Sequence, residues 1–482
     1  MRRVRAIALT AGAGALSAAI IATMTTAAPA ATTATEATSL PSITAKPGVH
    51  QVPDAPALPT PWTTALCESQ LKIACYEPTQ LRAAYNLAPL YSHGITGKDS
   101  TIVIVDSFGS PTIQNDLAVF DKQYGFPAPP SFKILQPAGA VTTEDPGWAG
   151  ETTLDVEYAH TVAPGANIVL LETPDAETEG ITGFPNMIKA EQDVIDHPEK
   201  YGIKGKVTVI SQSFGATEET FTSQAQLDSV RGAYVDAARH GVTVLAATGD
   251  QGATSDQLDG TDFYTTPVVD WPASDPLVTA VGGTQVKESA SGTFSQVVWN
   301  DTFDANANAV FGTGPLGTGG GVSEFFKLPQ YQQGVARTIA AATGAPKHAS
   351  LPRATPDISM SGACNGAMTF YYSFPGSTAG WHLVCGTSEA TPLFAGIVAL
   401  AAQVAHHSLG QINPRLYDLA AHHAPGLVDV TSGNTTVAFS QGNPAVSYTV
   451  TGYSAGQGYD LASGVGTVNA ALFVPELAGF GR

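Results

Sequence analysis

From about Glu77 onward, short β-branched runs alternate with amphipathic or alanine-rich stretches. The runs are TIVIVD (101–106), NIVLLE (167–172), VTVIS (207–211), VTVLAA (242–247) and LVTAV (277–281). Each is nearly continuously apolar rather than alternating, which predicts strands buried on both faces, as in a parallel sheet. Helical spacing falls between them, over 114–124, 151–161, 187–195 and 224–240, and an Ala/Leu/Ile-rich stretch over 387–404 predicts a buried helix. Strands and helices in turn predict an α/β fold, a mainly parallel sheet with helices on both faces. Two polar, glycine-rich insertions, 287–321 and 434–458, interrupt the pattern, and long insertions of this kind commonly carry binding or line a cleft.

Upstream the pattern fails. Arg2, Arg3 and Arg5 precede a small, weakly apolar stretch that ends in Ala-Pro-Ala at 28–30, and 1–30 reads as a secretory signal peptide. Residues 31–66 are Ala/Thr/Pro-rich with little periodicity, which reads as a leader or linker. One catalytic domain is expected over 67–482. No later stretch holds 18 uninterrupted apolar residues, so the expected mature chain is extracellular, free of the membrane and monomeric. The net charge of −19 becomes −22 without the first 30 residues, leaving no basic stripe to meet phosphates, so nucleic acid is excluded as a partner. Only 13% of residues are charged, and a surface of that kind loses little when carboxylates protonate. Four cysteines allow three pairings, of which 67–75 and 364–385 are expected in an oxidising compartment.

Three segments carry chemistry. In CGTSEATPLFAG (385–396), Ser388 follows a tight Gly-Thr turn at the start of the buried helix, where free N–H groups favour developing negative charge. In WAGETTLDVEYAH (148–160), Glu151 and Asp155 lie four apart, on one helix face with Cβ atoms roughly 5–6 Å apart. Such a pair titrates jointly and shares a proton. In VTVLAATGDQG (242–252), Asp250 stands at a strand's C-terminal end, where open α/β sheets build their sites. Alone, each has an ordinary alternative: a serine helix cap, a solvated acidic pair, an aspartate in a glycine turn.

Taken together, their order, spacing and flanks resemble the sedolisin (serine-carboxyl) peptidases of the subtilisin-like superfamily. LRAAYN (81–86), GGGVSEF (319–325), Arg353 with PDIS (356–359) and INPRLY (412–417) extend the resemblance over nearly the whole chain from about Tyr76. It implies a subtilisin-like doubly wound fold and a secreted, acid-acting endopeptidase using a Ser-Glu-Asp triad on protein or peptide substrates. Ser388 is then the nucleophile, Glu151 the general base, Asp155 its hydrogen-bond partner, and protonated Asp250 the donor to the oxyanion. The resemblance also implies one structural Ca²⁺, held by Asp429 and Asp460 with the carbonyls of Val430, Gly456 and Gly458. The family has serine at the position of Cys385 and commonly tryptophan at that of Tyr459. Its long folded propeptide has no counterpart in 31–66. A histidine triad of Asp106, His160 and Ser388 is disfavoured, because Glu151 takes the place of the histidine and Asp106 reads as a strand-end residue. A glycosidase is disfavoured too, since carboxylates four apart on one helix do not flank a sugar bond. The alternative kept is an inactive secreted binding protein on a peptidase scaffold.

Overall fold

The computed structural model describes residues 50–51, 57–346 and 350–479. The expected signal peptide, and the leader up to residue 56 apart from 50–51, lie outside the described residues. Folded contacts begin inside the stretch read as leader: Trp62 is fully buried, and Leu58 exchanges backbone hydrogen bonds with Trp381.

The central sheet has eight strands: β1 (Thr101–Ser107), β2 (Phe132–Leu135), β3 (Asn167–Thr173), β4 (Val209–Gln212), β5 (Thr243–Ala247), β6 (Thr279–Glu288), β7 (Phe294–Val298) and β8 (Ile358–Ser361). Their spatial order is β7-β6-β5-β4-β1-β3-β2, with β8 also paired to β6. Every pairing is parallel except β6 with β7. This is the doubly wound, subtilisin-like α/β fold. Successive side chains point to opposite faces of a strand, so Ile102 and Ile104 enter one core while Val103 and Val105 enter the other. Neither face is left wet, which is why the runs read as continuous.

The first core is shared by α1 (Pro146–Val162) and α4 (Thr387–Ala405), the second by α2 (Phe184–Asp196) and α3 (Gly232–His240). α4 is long and apolar enough to cross a membrane, but its hydrophobic length is spent inside the fold, 83% buried. α1 and α4 pack directly on each other. The contact is close enough that a Cβ on Gly396 would lie 2.5 Å from Val162 Cβ. Only a residue without a side chain fits there, and this crossing sets the two helix starts side by side.

The structure departs from the sequence pattern in places. The helix expected over 224–240 is two, Gln224–Asp228 and Gly232–His240. Ser229 Oγ donates to Gln226 O, and Arg231 leaves the helix line to pair with the fully buried carboxylate of Asp275. The insertions are not structureless. The first contains β7 and a helix, Ala305–Phe311; the second folds as a hairpin, Val437–Gln441 against Val446–Val450. The strand β2 is short, half-buried and at the sheet edge, too weak a pattern to predict. Both expected disulfides form, Cys67–Cys75 and Cys364–Cys385, and the second closes the chain just before the start of α4.

Gly396→Ala should overpack the crossing and cost about 1–3 kcal/mol of unfolding free energy in urea. A midpoint equal to that of the unchanged chain would contradict the contact.

Candidate active site

The site forms where strands end and helices begin. α1 is started by Asp145, whose Oδ1 accepts from Trp148 N at 2.9 Å, with Pro146 as first residue. Glu151 and Asp155 follow on successive turns, both fully buried. Asp250 lies just past β5. Its Oδ1 accepts both the backbone N–H and the Oγ1–H of Thr387 at 2.7 Å, tying the carboxyl to the first residue of α4. With Oδ1 accepting twice, a proton on Asp250 belongs on Oδ2. Ser388, the next residue, is 1% exposed.

Ser213, immediately after β4, joins the helices. Its Oγ donates to Asp155 Oδ1 at 2.8 Å and lies 3.2 Å from the carbonyl of Ser388, while Ser388 Oγ lies 3.5 Å from Ser213 O. A hydroxyl has one proton, and the nearer carboxylate is the better acceptor. The structure thus brings Asp155, Asp250 and Ser388 into one neighbourhood, with Glu151 one turn from Asp155 and within its field.

The electrostatics follow from burial without cations. Burial raises Asp155 well above the usual carboxylate range, the charges of Asp106 and Glu151 push further, and the Ser213 bond opposes them. Burial raises Asp250 to about 7, against the Thr387 bonds and helped by Asp270. Asp106, fully buried at the end of β1, is also raised to about 7 by burial, with the Thr152 hydroxyl opposing. These carboxyls hold protons that exposed ones would release.

His160 does not join this group. Its Nε2 is 2.8 Å from Pro127 O and 3.2 Å from Asp121 Oδ1. Asp106 is more than the strand-end residue expected, since its charge acts on Asp155. Sequence reasoning also missed Ser213 and the anchoring by Thr387. A signal existed for two of them: Asp106 and Ser213 sit at C-terminal ends of predicted strands, as Asp250 does.

Ser388, Asp250 and Ser213 open onto a cleft of about 780 Å³. Residues 311–316 of the first insertion form part of its wall, so that insertion lines a cleft as expected. The second insertion buttresses from behind, its Val437 so close that a Cβ on Gly252 would sit 2.3 Å from Val437 Cγ1. Gly249, at φ +94°, admits Asp270: a Cβ there would lie 2.3 Å from Asp270 Oδ2.

Both carboxylates expected to hold calcium accept from the backbone of the glycine-rich 456–458 loop. Asp429 Oδ2 accepts from Gly458 N at 2.8 Å and Asp460 Oδ2 from Gly456 N at 2.9 Å. Ser463 Oγ is 3.1 Å from Asp460 Oδ1 and 3.4 Å from the Val430 carbonyl. Among the described residues no group of three or more His, Cys, Asp or Glu side chains is poised for a metal, so carbonyl oxygens would have to complete the shell. An all-oxygen donor set drawn from two carboxylates and glycine-rich backbone fits a hard cation.

Residues 138–443 match the subtilase family. The chain belongs to that family, on its sedolisin branch. It is 32% identical to kumamolisin of Bacillus sp. (strain MN-32) over 394 residues, covering 81% of this chain and 62% of that protein. It is 30% identical to tripeptidyl-peptidase sed5 of Aspergillus fumigatus over 342 residues, covering 68% and 51%. The solved structure of Pseudomonas sedolisin, a serine-carboxyl proteinase complexed with pseudo-iodotyrostatin, superposes with a TM-score of 0.67 at 25% identity, covering 85% of this chain and all of that one. The chain spans between about half and six tenths of the length of the first two relatives. This subtilase carries carboxyls in the neighbourhood of its serine.

Acids raised on folding make stability fall as pH rises. Between the unfolded value near 3.8 and the folded value of about 7 for Asp106 and Asp250, the unfolded chain has lost protons that the native one keeps. The thermal midpoint should therefore be higher at pH 4 than at pH 7, and the reverse order would contradict the burial of these carboxyls in protonated form.

Proposed function

We propose that this subtilase is a secreted serine-carboxyl endopeptidase that cuts peptide bonds at acid pH through an acyl-enzyme. The observation that carries the reading is Ser213, whose Oγ donates to the Asp155 carboxyl on α1 while its backbone carbonyl lies 3.5 Å from Ser388 Oγ at the start of α4.

In this reading Ser388 Oγ attacks the scissile carbonyl carbon as Glu151 takes its proton. Asp155 hydrogen-bonds Glu151, orients it and tunes its proton affinity. The new oxyanion accepts a hydrogen bond from protonated Asp250, and an acid raised to about 7 keeps that proton through the acid range. The C–N bond then breaks, Glu151 returns the proton to the departing amine, and the acyl group remains on Ser388. Water, deprotonated by the same Glu151, attacks the ester and frees the acid. A base with an unperturbed pKa near ~4 is matched to acid pH rather than neutral. The sedolisin relatives support the peptidase class, and the signal-like segment 1–30 supports export.

We also assign one structural Ca²⁺ to Asp429, Val430, Gly456, Gly458 and Asp460. Bound there, the ion would tie the 456–460 loop to the 429–430 strand end by neutralising two carboxylates.

Ser388→Ala and Glu151→Gln should each lower kcat on an internally quenched peptide at pH 4 by about 10³-fold or more. Using a peptide blocked at both ends makes internal cleavage the only productive event. Activity unchanged in Ser388→Ala would remove Ser388 as the nucleophile, and no cleavage by the unchanged chain would replace this reading with the inactive binding protein. Removal of Ca²⁺ by EGTA should lower the thermal midpoint by several degrees, about the effect of a lost stabilising ligand. Asp460→Asn should melt early and ignore the chelator; a chelator effect undiminished in that variant would move the ion elsewhere.

A further inference from the structure

Both disulfides lie in one small core apart from the two that cover the central sheet. It holds fourteen buried residues, all four cysteines among them, whereas neither larger core contains a cysteine. The segment 58–76 wraps it. Trp62, Cys67, Ile73 and Cys75 are buried there, Leu58 exchanges backbone hydrogen bonds with Trp381, and Cys75–Tyr76 pair in parallel with Ala367–Met368. Two further parts of this core belong to the site. Phe311 and Leu316 are in it and also line the cleft, and Cys385 stands just before the turn that leads to Ser388.

That turn is made without side chains. Gly386 caps α4 at φ +142° with no side-chain cap. It sits on glycine backbone: a Cβ on Gly362 would lie 2.7 Å from Gly386 O and 3.4 Å from Gly283 Cα. Gly386 N–H donates to Gly362 O at 2.9 Å, and one residue on Asp250 holds Thr387. Contacts between glycines bury little apolar surface, and one backbone hydrogen bond contributes modestly. The Cys364–Cys385 bond fastens the same two stretches of chain immediately beside this seat. It also closes the base of the hairpin formed by Ala367–Tyr372 and Gly380–Cys385, whose second strand runs straight into the turn.

We propose that Cys364 and Cys385 are positioning residues for the peptidase reaction, their bond holding the glycine turn so that Ser388 starts α4 in place beside Asp155 and Asp250. The inference rests on the peptidase reading. Cys67–Cys75 supplies the contrast. It lies in the same core, but it joins two residues of the outer segment to each other and spans no part of the turn.

The test compares two double variants on an internally quenched peptide at pH 4: Cys364→Ser with Cys385→Ser, and Cys67→Ser with Cys75→Ser. Activity is measured at a temperature where circular dichroism shows each still folded. Both bonds constrain the unfolded chain, so both variants should melt earlier than the unchanged enzyme. Loss of Cys364–Cys385 should lower kcat by about tenfold or more, the effect of a displaced reacting group. Loss of Cys67–Cys75 should leave kcat within about twofold. KM is read alongside, because a cleft wall loosened at Phe311 and Leu316 without movement of the turn raises KM and spares kcat. Gly362→Ala keeps both disulfides and sets a Cβ against Gly386 O, so it should lower kcat by a similar factor. It carries the test if the first double variant does not fold, and an unchanged kcat in it would then overturn the proposal. A rise in KM alone in the folded Cys364→Ser, Cys385→Ser variant, or an equal fall in kcat in both double variants, would overturn it too. No cleavage by the unchanged enzyme would instead sink the peptidase reading, and the positioning role with it.

Discussion

The close crossing of α1 and α4 is the constraint on which the rest depends. Gly396 lets the two helices approach until only a hydrogen atom fits between Gly396 and Val162. Ahead of this crossing, Ser213 donates to Asp155 on one helix and lies against Ser388 on the other. Both helices lie on one sheet face and share one hydrophobic core, so the carboxyls are enclosed by apolar packing rather than by water. The chemistry follows from that enclosure. Acids buried without a cation keep their protons, and in the proposed reading such acids would donate to an oxyanion and exchange a proton with a serine.

The same enclosure has a thermodynamic consequence. A protein that keeps its acids protonated in the native state is favoured by acidic surroundings through its fold, and the reaction proposed for it would favour the same surroundings. Few exposed charges need rearranging when the medium turns acid, because charged residues are only 13% of the chain. Surface and interior therefore favour the same range of pH for unrelated reasons.

Much of this was legible in the sequence because the informative patterns were local. Continuous apolar runs gave strands β1, β3, β4 and β5 to within two residues, and the four-residue spacing of Glu151 and Asp155 is a property of any helix. What escaped depends on distant segments meeting. Nothing near Ser213 in sequence reveals that it touches both Asp155 and Ser388, and Asp106 looked like the end of a strand until its neighbour across the sheet was known. Glu177 and Glu179 lay in a polar stretch that reads as solvated loop, yet the fold buries them. The break at 229–231 escaped for the same reason, since the pull on Arg231 comes from Asp275, 44 residues away.

Whether a carboxyl rather than an imidazole accepts the serine proton decides the account. The direct measurement is kcat/KM of the unchanged enzyme on an uncharged, end-blocked peptide from pH 2 to pH 8. Carboxyl chemistry gives a maximum below about pH 5 and a fall toward pH 7, where Asp250 loses its proton. A rate that climbs through pH 6 to a plateau at neutral pH is the signature of a histidine base and would contradict it.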